Sequence, residues 1–271
     1  MPELNWSDVE RRITEWLKNF FEKTKRVGVV GLSGGVDSAT TAALLCKAIG
    51  PERVRAVILP SSATPPEDVE DAKLLAQRLG IDDIRIINIE PILEAFDKAL
   101  NVKNRVTRGN VAARVRMTVL YALAHEDGIV VGTGDKSELL LGYFTKYGDG
   151  GVDILPIGDL YKTWVRKLAL HLGVPEKIAT KPSSPRLWPH HLAEEELGFS
   201  YEVADVVLYH IVEEGMTPRE VVEKLGIEKE IVSKIINMMK KNKHKLEPPP
   251  IAKITRKTAF EFAREVENLT L

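Results

Sequence analysis

Residues 27–38 read Val27-Gly28-Val29-Val30-Gly31-Leu32-Ser33-Gly34-Gly35-Val36-Asp37-Ser38. The apolar run from Val27 to Leu32 is too short for a helix and predicts a buried strand. A helix follows from about Ser38 to Ile49. Between them, Gly34 and Gly35 let the backbone turn tightly and approach a ligand. A helix start offers unpaired N–H groups and the positive end of a dipole, so this junction is a seat for phosphate. Ser33 and Ser38 add hydroxyl donors. Asp37 is out of place beside phosphate unless a cation lies between them. Mg²⁺ resolves the conflict, because it takes carboxylate and phosphate oxygens together. The loop lacks the Gly-Lys-Ser/Thr of a Walker A sequence and the spacing of a dinucleotide fingerprint.

Working outward, strand and helix patterns alternate. Ser7, with Glu10 at capping-box spacing, predicts a first helix to Phe21. Strands are expected at Val54–Leu59, Ile84–Ile89 and Ile129–Val131. Helices are expected after Thr64-Pro65-Pro66 to Leu79, near Pro91–Leu100, at Asn110–His125, and from an Asp159 cap to Leu172. Such alternation predicts an α/β fold, with a doubly wound, mostly parallel sheet flanked by helices. Ligands of such sheets sit beyond the C-terminal strand ends, so loops 33–38, 60–66 and 132–138 should face one crevice. Residues 181–197 hold three prolines, adjacent histidines and three adjacent glutamates, and read as a mobile loop. Helices near Ser200–Glu214, Pro218–Leu225, Glu228–Lys243 and Thr258–Asn268 complete a helical C-terminal part. The chain reads as one domain over 1–271, with an α/β core at about 25–180 and the helical part at 198–271.

A second constellation, Gly132 to Glu138, lies at a strand end, with Glu138 as a candidate second Mg²⁺ ligand and Thr133 as a nucleotide contact. The Gly-rich stretch from Tyr143 to Asp153 carries Lys146, Asp149 and Asp153, charges suited to a binding loop. Arg114 and Arg116, two apart on a helix, point to different faces, so at most one meets the site. His190 and His191 read as loop surface, and His125, His171 and His210 as structural. Cys46 reads as a small buried apolar residue.

The Ser33–Ser38 motif resembles the pyrophosphatase loop of the N-type ATP pyrophosphatases. The ordered set GLSGGVDS (31–38), LPSSATPPEDVEDA (59–72), GNVAARVRM (109–117), GTGDKSE (132–138), GYFTKYGDGGVDILP (142–156), ELGFSYE (196–202) and NKHK (242–245) is similar to the ammonia-dependent NAD synthetases. That resemblance implies a Rossmann-like fold of the adenine nucleotide alpha hydrolase type. It implies amidation of deamido-NAD by ammonia, with ATP as co-substrate and AMP and pyrophosphate as products, through an adenylated carboxylate. ATP would meet Gly31, Leu32, Ser33, Gly34, Gly35, Val36, Asp37 and Ser38, with Thr133, Lys162 and Ser183. Asp37 and Glu138 would hold Mg²⁺, and Asp37, Glu138 and Lys162 would form the catalytic group. Arg114, Lys146, Asp153, His244 and Lys245 would contact deamido-NAD. Members are homodimers with the dinucleotide at the subunit interface. Where the family often reads Leu-Trp-Pro-Gly-Gln, this chain has Leu187-Trp188-Pro189-His190-His191.

The 271 residues carry 38 basic and 39 acidic side chains, a net charge of −1. That balance speaks against RNA modification, which calls for a basic face, and no nucleic-acid partner is expected. Retention of both Asp37 and Glu138 speaks against a non-catalytic nucleotide-binding module. One cysteine excludes an intrachain disulfide and a CxxC site, and leaves a glutamine-hydrolysing domain without its nucleophile. Ammonia is therefore the direct donor unless a separate subunit supplies it. No apolar run reaches the ~18 residues of a membrane span, and the polar N-terminus predicts a cytoplasmic protein.

Overall fold

The computed structural model describes residues 1–265. In chain order the elements are α1 (Trp6–Thr24), β1 (Val27–Gly31), α2 (Val36–Ile49), β2 (Val54–Ile58), α3 (Pro66–Arg78), β3 (Asp83–Ile86), α4 (Glu90–Leu100), α5 (Arg105–Ala124), β4 (Gly128–Val131), α6 (Lys136–Leu141), α7 (Lys162–His171), α8 (Glu176–Ala179), α9 (Ala193–Leu197), α10 (Tyr201–Val212), α11 (Pro218–Leu225), α12 (Lys229–Asn242) and α13 (Ala259–Ala263). The four strands pair in parallel in the order β3-β2-β1-β4. This is the expected doubly wound α/β architecture with a helical C-terminal part.

β1, β2 and β4 are largely apolar on both faces because both faces are covered, whereas edge strand β3 carries Asp83 and Arg85 and is partly exposed. Successive side chains alternate between two cores. Val30, Ala56, Ile58, Ile129 and Val131 join the larger core, with α1, α2, α7 and α10. Val29, Val57 and Val130 join the smaller one, with α4 and α5. The chain moves from β1 outward to β2 and β3, then returns to β4 on the other side of β1. The strand order reverses between β1 and β4, which is where open α/β sheets leave a crevice for ligands.

Several boundaries differ from the sequence expectation, each because another group wins the cap. Asn5, not Ser7, caps α1 by accepting from the Asp8 amide, and Glu10 instead binds Lys47 at 2.7 Å. Asn104 accepts from the Val106 and Thr107 amides, so α5 starts at Arg105, five residues early. Asp159 does not cap α7; its carboxylate binds Lys136 at 2.7 Å and the helix opens after Tyr161. Within 181–197, Glu194–Glu196 lie in the short helix α9. The Thr217/Glu220 capping box and proline start of α11 match the sequence reading. The expected last helix starts on its Thr258 cap, and the end expected at Asn268 lies outside the described residues.

Candidate active site at the strand switch point

The loop after β1 is rigid. The Leu32 amide donates to Val57 O at 2.8 Å, tying the loop to β2. Gly34 has φ +77°, and a Cβ there would stand 2.3 Å from the Asp68 carbonyl oxygen, so no other residue fits. The Ser38 hydroxyl donates to Gly35 O at 3.1 Å, accepts from the Ser33 amide at 3.2 Å, and lies 3.1 Å from the Ser33 hydroxyl. The Gly35 amide donates to the Ser33 hydroxyl at 3.3 Å. The two serines thus brace the loop, and the first-turn N–H groups of α2 are left as the donors it can present.

Opposite this loop, β4 ends in Gly132-Thr133-Gly134 and α6 begins. Asp135 caps α6 by accepting from the Glu138 amide at 2.8 Å, while the Glu138 carboxylate reaches back to the Asp135 amide. Lys162, the first residue of α7, sits beneath both loops with its side chain fully buried. Its ammonium lies 2.7 Å from Asp37, 2.9 Å from Asp135 and 2.8 Å from Glu138. The lysine is aimed by its own backbone: the Lys162 amide donates to the Ser137 hydroxyl at 2.9 Å. Ser137 in turn donates to buried Asp205 on α10, which also accepts from the Thr163 amide at 2.8 Å.

Charge sets the protonation of this cluster. Burial raises the Glu138 carboxyl; Lys162 opposes that, while Asp135 and Asp37 reinforce it. Burial likewise pushes Asp135 up to about 6, against the pull of Lys162. Burial pulls Lys162 down, but three carboxylates outweigh it, so the ammonium is held well above its ordinary value. Three carboxylates against one ammonium leave a surplus of negative charge facing the cavity. Asp37 Oδ1 is buried with no hydrogen-bond partner. Among the described residues no group of three or more His, Cys, Asp or Glu is placed to hold a metal ion alone. Two carboxylates that need phosphate oxygens to complete the shell suit Mg²⁺, so Asp37 and Glu138 fit a Mg²⁺–triphosphate group.

The cavity over these groups holds about 620 Å³ and is lined from all three expected loops. Gly31, Leu32, Ser33, Asp37, Ser38, Thr133, Glu138, Ser183 and Lys245 line it. Gly34, Gly35 and Val36 instead bound a small adjoining cavity with Asp37 and Ser183. Lys162 has no surface in either. Lys245 donates to Gly142 O at 2.6 Å and Phe144 O at 2.7 Å, and lies 5.3 Å from the Phe144 ring centre. Arg114, Lys146, Asp153 and His244 lie outside the cavity wall. Arg114, Lys146 and His244 form an outer chain of contacts: Arg114 reaches Lys146 O at 3.3 Å, and Lys146 reaches His244 O at 2.6 Å. Asp153 accepts from Tyr121 and from the Val130 amide.

Of Arg114 and Arg116, Arg116 is the one in the cavity, donating to Leu59 O at 3.2 Å. Burial lowers the Arg116 guanidinium from its ordinary value. His191 corrects the loop-surface reading. It is 3% exposed, stacked on Trp188 at 3.5 Å, and bound to Glu196 at 2.7 Å. Tyr143 donates to the same Glu196 oxygen at 2.5 Å. His190 stays exposed. Ser184 joins Ser183 in the wall. A Trp three residues before the histidine and a carboxylate five after were the available signals for His191; nothing in the sequence separates Arg116 from Arg114.

A parallel α/β sheet with a glycine-rich loop and a carboxylate–lysine cluster facing each other across the switch point defines a nucleotide-binding α/β protein whose loop is not of the Walker A kind. The profile of the family described as NAD synthase matches residues 9–249, so the chain belongs to that family. The NH(3)-dependent NAD(+) synthetase of Hyperthermus butylicus is 50% identical over 266 residues, covering 97% of this chain and 96% of its own length. Among solved structures, the NMN synthetase of Francisella tularensis superposes with a TM-score of 0.82 at 32% identity, covering 93% of this chain and 100% of its own. The NH3-dependent NAD synthetase of Campylobacter jejuni subsp. jejuni superposes with a TM-score of 0.79 at 31% identity, with the same coverage.

Proposed function

We propose that the protein makes NAD by amidating deamido-NAD with ammonia, consuming ATP and releasing AMP and pyrophosphate. The observation that carries this reading is the pairing, across the switch point, of a phosphate loop with the Asp37–Asp135–Glu138 cluster around Lys162. A carboxylate is a poor acyl donor because oxide is a poor leaving group. In this reading the nicotinate carboxylate oxygen attacks the α-phosphorus of ATP, the α–β bridging oxygen leaves with pyrophosphate, and an acyl adenylate forms. Ammonia then attacks the acyl carbon, AMP departs, and the ammonia nitrogen loses a proton to give the amide.

The chain contributes positioning more than covalent chemistry. First-turn amides of α2 receive phosphate charge, the kind of preorganised donor that stabilises a transition state. Lys162 holds Asp37 and Glu138 at fixed separation as a positioning residue, since it has no cavity surface. Mg²⁺ bound by those two carboxylates would neutralise the phosphates. Trp188, His191 and Arg186 of the 181–192 segment roof the cavity and would exclude water from the adenylate. Half-buried Cys46 lies in α2, and burial pushes its thiol up to about 12, which suits no glutamine-hydrolysing role. Ammonia is therefore taken directly or from a separate supplying subunit.

Arg114, Lys146, Asp153 and His244 sit on an outer surface rather than in the cavity. That arrangement supports a homodimer, in which the distal half of the dinucleotide would lie against a second copy. No helix among the described residues is long and apolar enough to cross a membrane.

The test uses deamido-NAD carrying ¹⁸O in the nicotinate carboxylate. Activation through an acyl adenylate transfers one label to AMP. Unlabelled AMP, or ADP and phosphate as products, overturns the reading.

A further inference from the structure

The phosphate loop has no lysine of its own, and Lys162 is spent on three carboxylates. A departing pyrophosphate would thus leave into a region where Asp37, Glu138 and Asp68 all present oxygens. Positive charge must come from elsewhere in the chain as well as from the metal.

The small cavity beside the loop identifies a source. It holds about 50 Å³, with Ser33 to Asp37 forming one wall and Lys181, Ser184 and Arg186 another. Lys181 is fully engaged: its ammonium donates to Gly34 O at 3.0 Å, Asp68 at 2.8 Å and Asp71 at 2.8 Å. It pins the 181–192 segment onto the phosphate loop and has no proton left for a ligand. Arg186 is different. Its Nε donates to Asp68 at 2.7 Å and its Nη2 lies 3.5 Å from the same carboxylate. A guanidinium carries five N–H groups, so about three remain for a ligand. The Nη1 end meets no described hydrogen-bond partner.

Two further features favour a poised group over a simple staple. Asp68 is 2% exposed and serves both cations. Lys181 and Arg186 are the two cations in the wall of the small cavity, set against Asp37 and Asp68, and only Arg186 keeps N–H groups that no carboxylate takes. Arg186 also has φ +49°, a left-handed conformation that costs a non-glycine residue energy and persists only where surrounding contacts impose it.

We infer that Arg186 is the side chain that receives the pyrophosphate half of the nucleotide, aimed by Asp68 and brought to the phosphate loop by Lys181. The inference rests on the ATP-binding reading and adds to it a specific anion-binding residue from the roof segment. Guanidinium suits this task because its fork matches two phosphate oxygens at once. Asp68 is the positioning residue: it fixes one edge of the guanidinium and leaves the other directed into the cavity.

Calorimetric titration of the full chain with magnesium pyrophosphate, and separately with AMP, tests this. For Arg186→Gln the expected result is at least a tenfold loss of pyrophosphate affinity with AMP affinity within twofold of the parent. Arg186→Lys, which keeps charge but not the fork, should recover part of the loss. Pyrophosphate affinity within twofold of the parent in Arg186→Gln would overturn the inference. A parent that binds AMP but not pyrophosphate sinks it alone; a parent that binds neither sinks the nucleotide reading beneath it. Should Arg186→Gln fail to fold, Arg186→Lys decides, an unchanged pyrophosphate affinity again counting against.

Discussion

Replacing Lys162 with methionine removes the one cation beneath three carboxylates while keeping most of the side-chain volume. The ammonium is fully buried, with carboxylate oxygens at 2.7, 2.9 and 2.8 Å. Removing one partner of a buried ion pair costs about 3–5 kcal/mol, because the remaining charge is left uncompensated. At roughly 2 cal/mol/K of unfolding entropy per residue, a chain of this length loses about 0.6 kcal/mol per degree near its midpoint, so the melting temperature should fall by about 5–8 °C. The deficit should also depend on pH. Asp135 is raised to about 6 and Glu138 is raised too, by burial first. A carboxyl raised in the folded state favours folding while protonated, fully below its unfolded value near 4, and loses that contribution as pH rises through about 6. Without Lys162 the same carboxyls repel one another at neutral pH and are relieved by protonation. Thermal melts of parent and Lys162→Met at pH 7.5 and pH 5 should therefore show a large gap at the higher pH and a smaller one at the lower. An equal gap at both, or one below about 2 °C at pH 7.5, would refute this electrostatic account.

Gly34→Ala should disable nucleotide binding and cost about 1–3 kcal/mol, since φ +77° and a Cβ 2.3 Å from the Asp68 carbonyl force the loop to move; titration with ATP and a denaturant melt report the two effects. Cys46, with its thiol pushed up to about 12 by burial, should resist iodoacetamide at pH 8 in the native protein and react once the chain is unfolded, as read by mass spectrometry. Native-state alkylation at the rate of the unfolded chain would contradict the packing described for α2.

The parts of the fold that could be read in the sequence are those set by local patterning. Short apolar runs point to the strands β1, β2 and β4, closed by glycine after β1 and β4 and by Pro60 after β2, and their two-faced burial follows from the parallel sheet. The phosphate loop was legible because its strand, glycine pair, carboxylate and helix are contiguous. What escaped were groups defined by distant partners. Asp159 looks like a cap, but Lys136 of α6 claims its carboxylate. Asp135 reads as a loop residue until Lys162, twenty-seven positions on, makes it part of a buried cluster. His191 looks like surface beside His190; stacking on Trp188 and the bond to Glu196 bury it. Family resemblance points to Lys162, yet its burial beneath the carboxylates rather than in the cavity depends on Ser137 and Asp205, which no local pattern links.

NAD formation decides whether this chain amidates deamido-NAD: the purified protein is mixed with ATP, Mg²⁺ and deamido-NAD, with ammonium or glutamine supplied in parallel. NAD should form with ammonium only, matched one to one by AMP and pyrophosphate, and should fall at least a hundredfold in Asp37→Asn. No NAD from either donor with folded, ATP-binding protein, or undiminished NAD from Asp37→Asn, would contradict this reading.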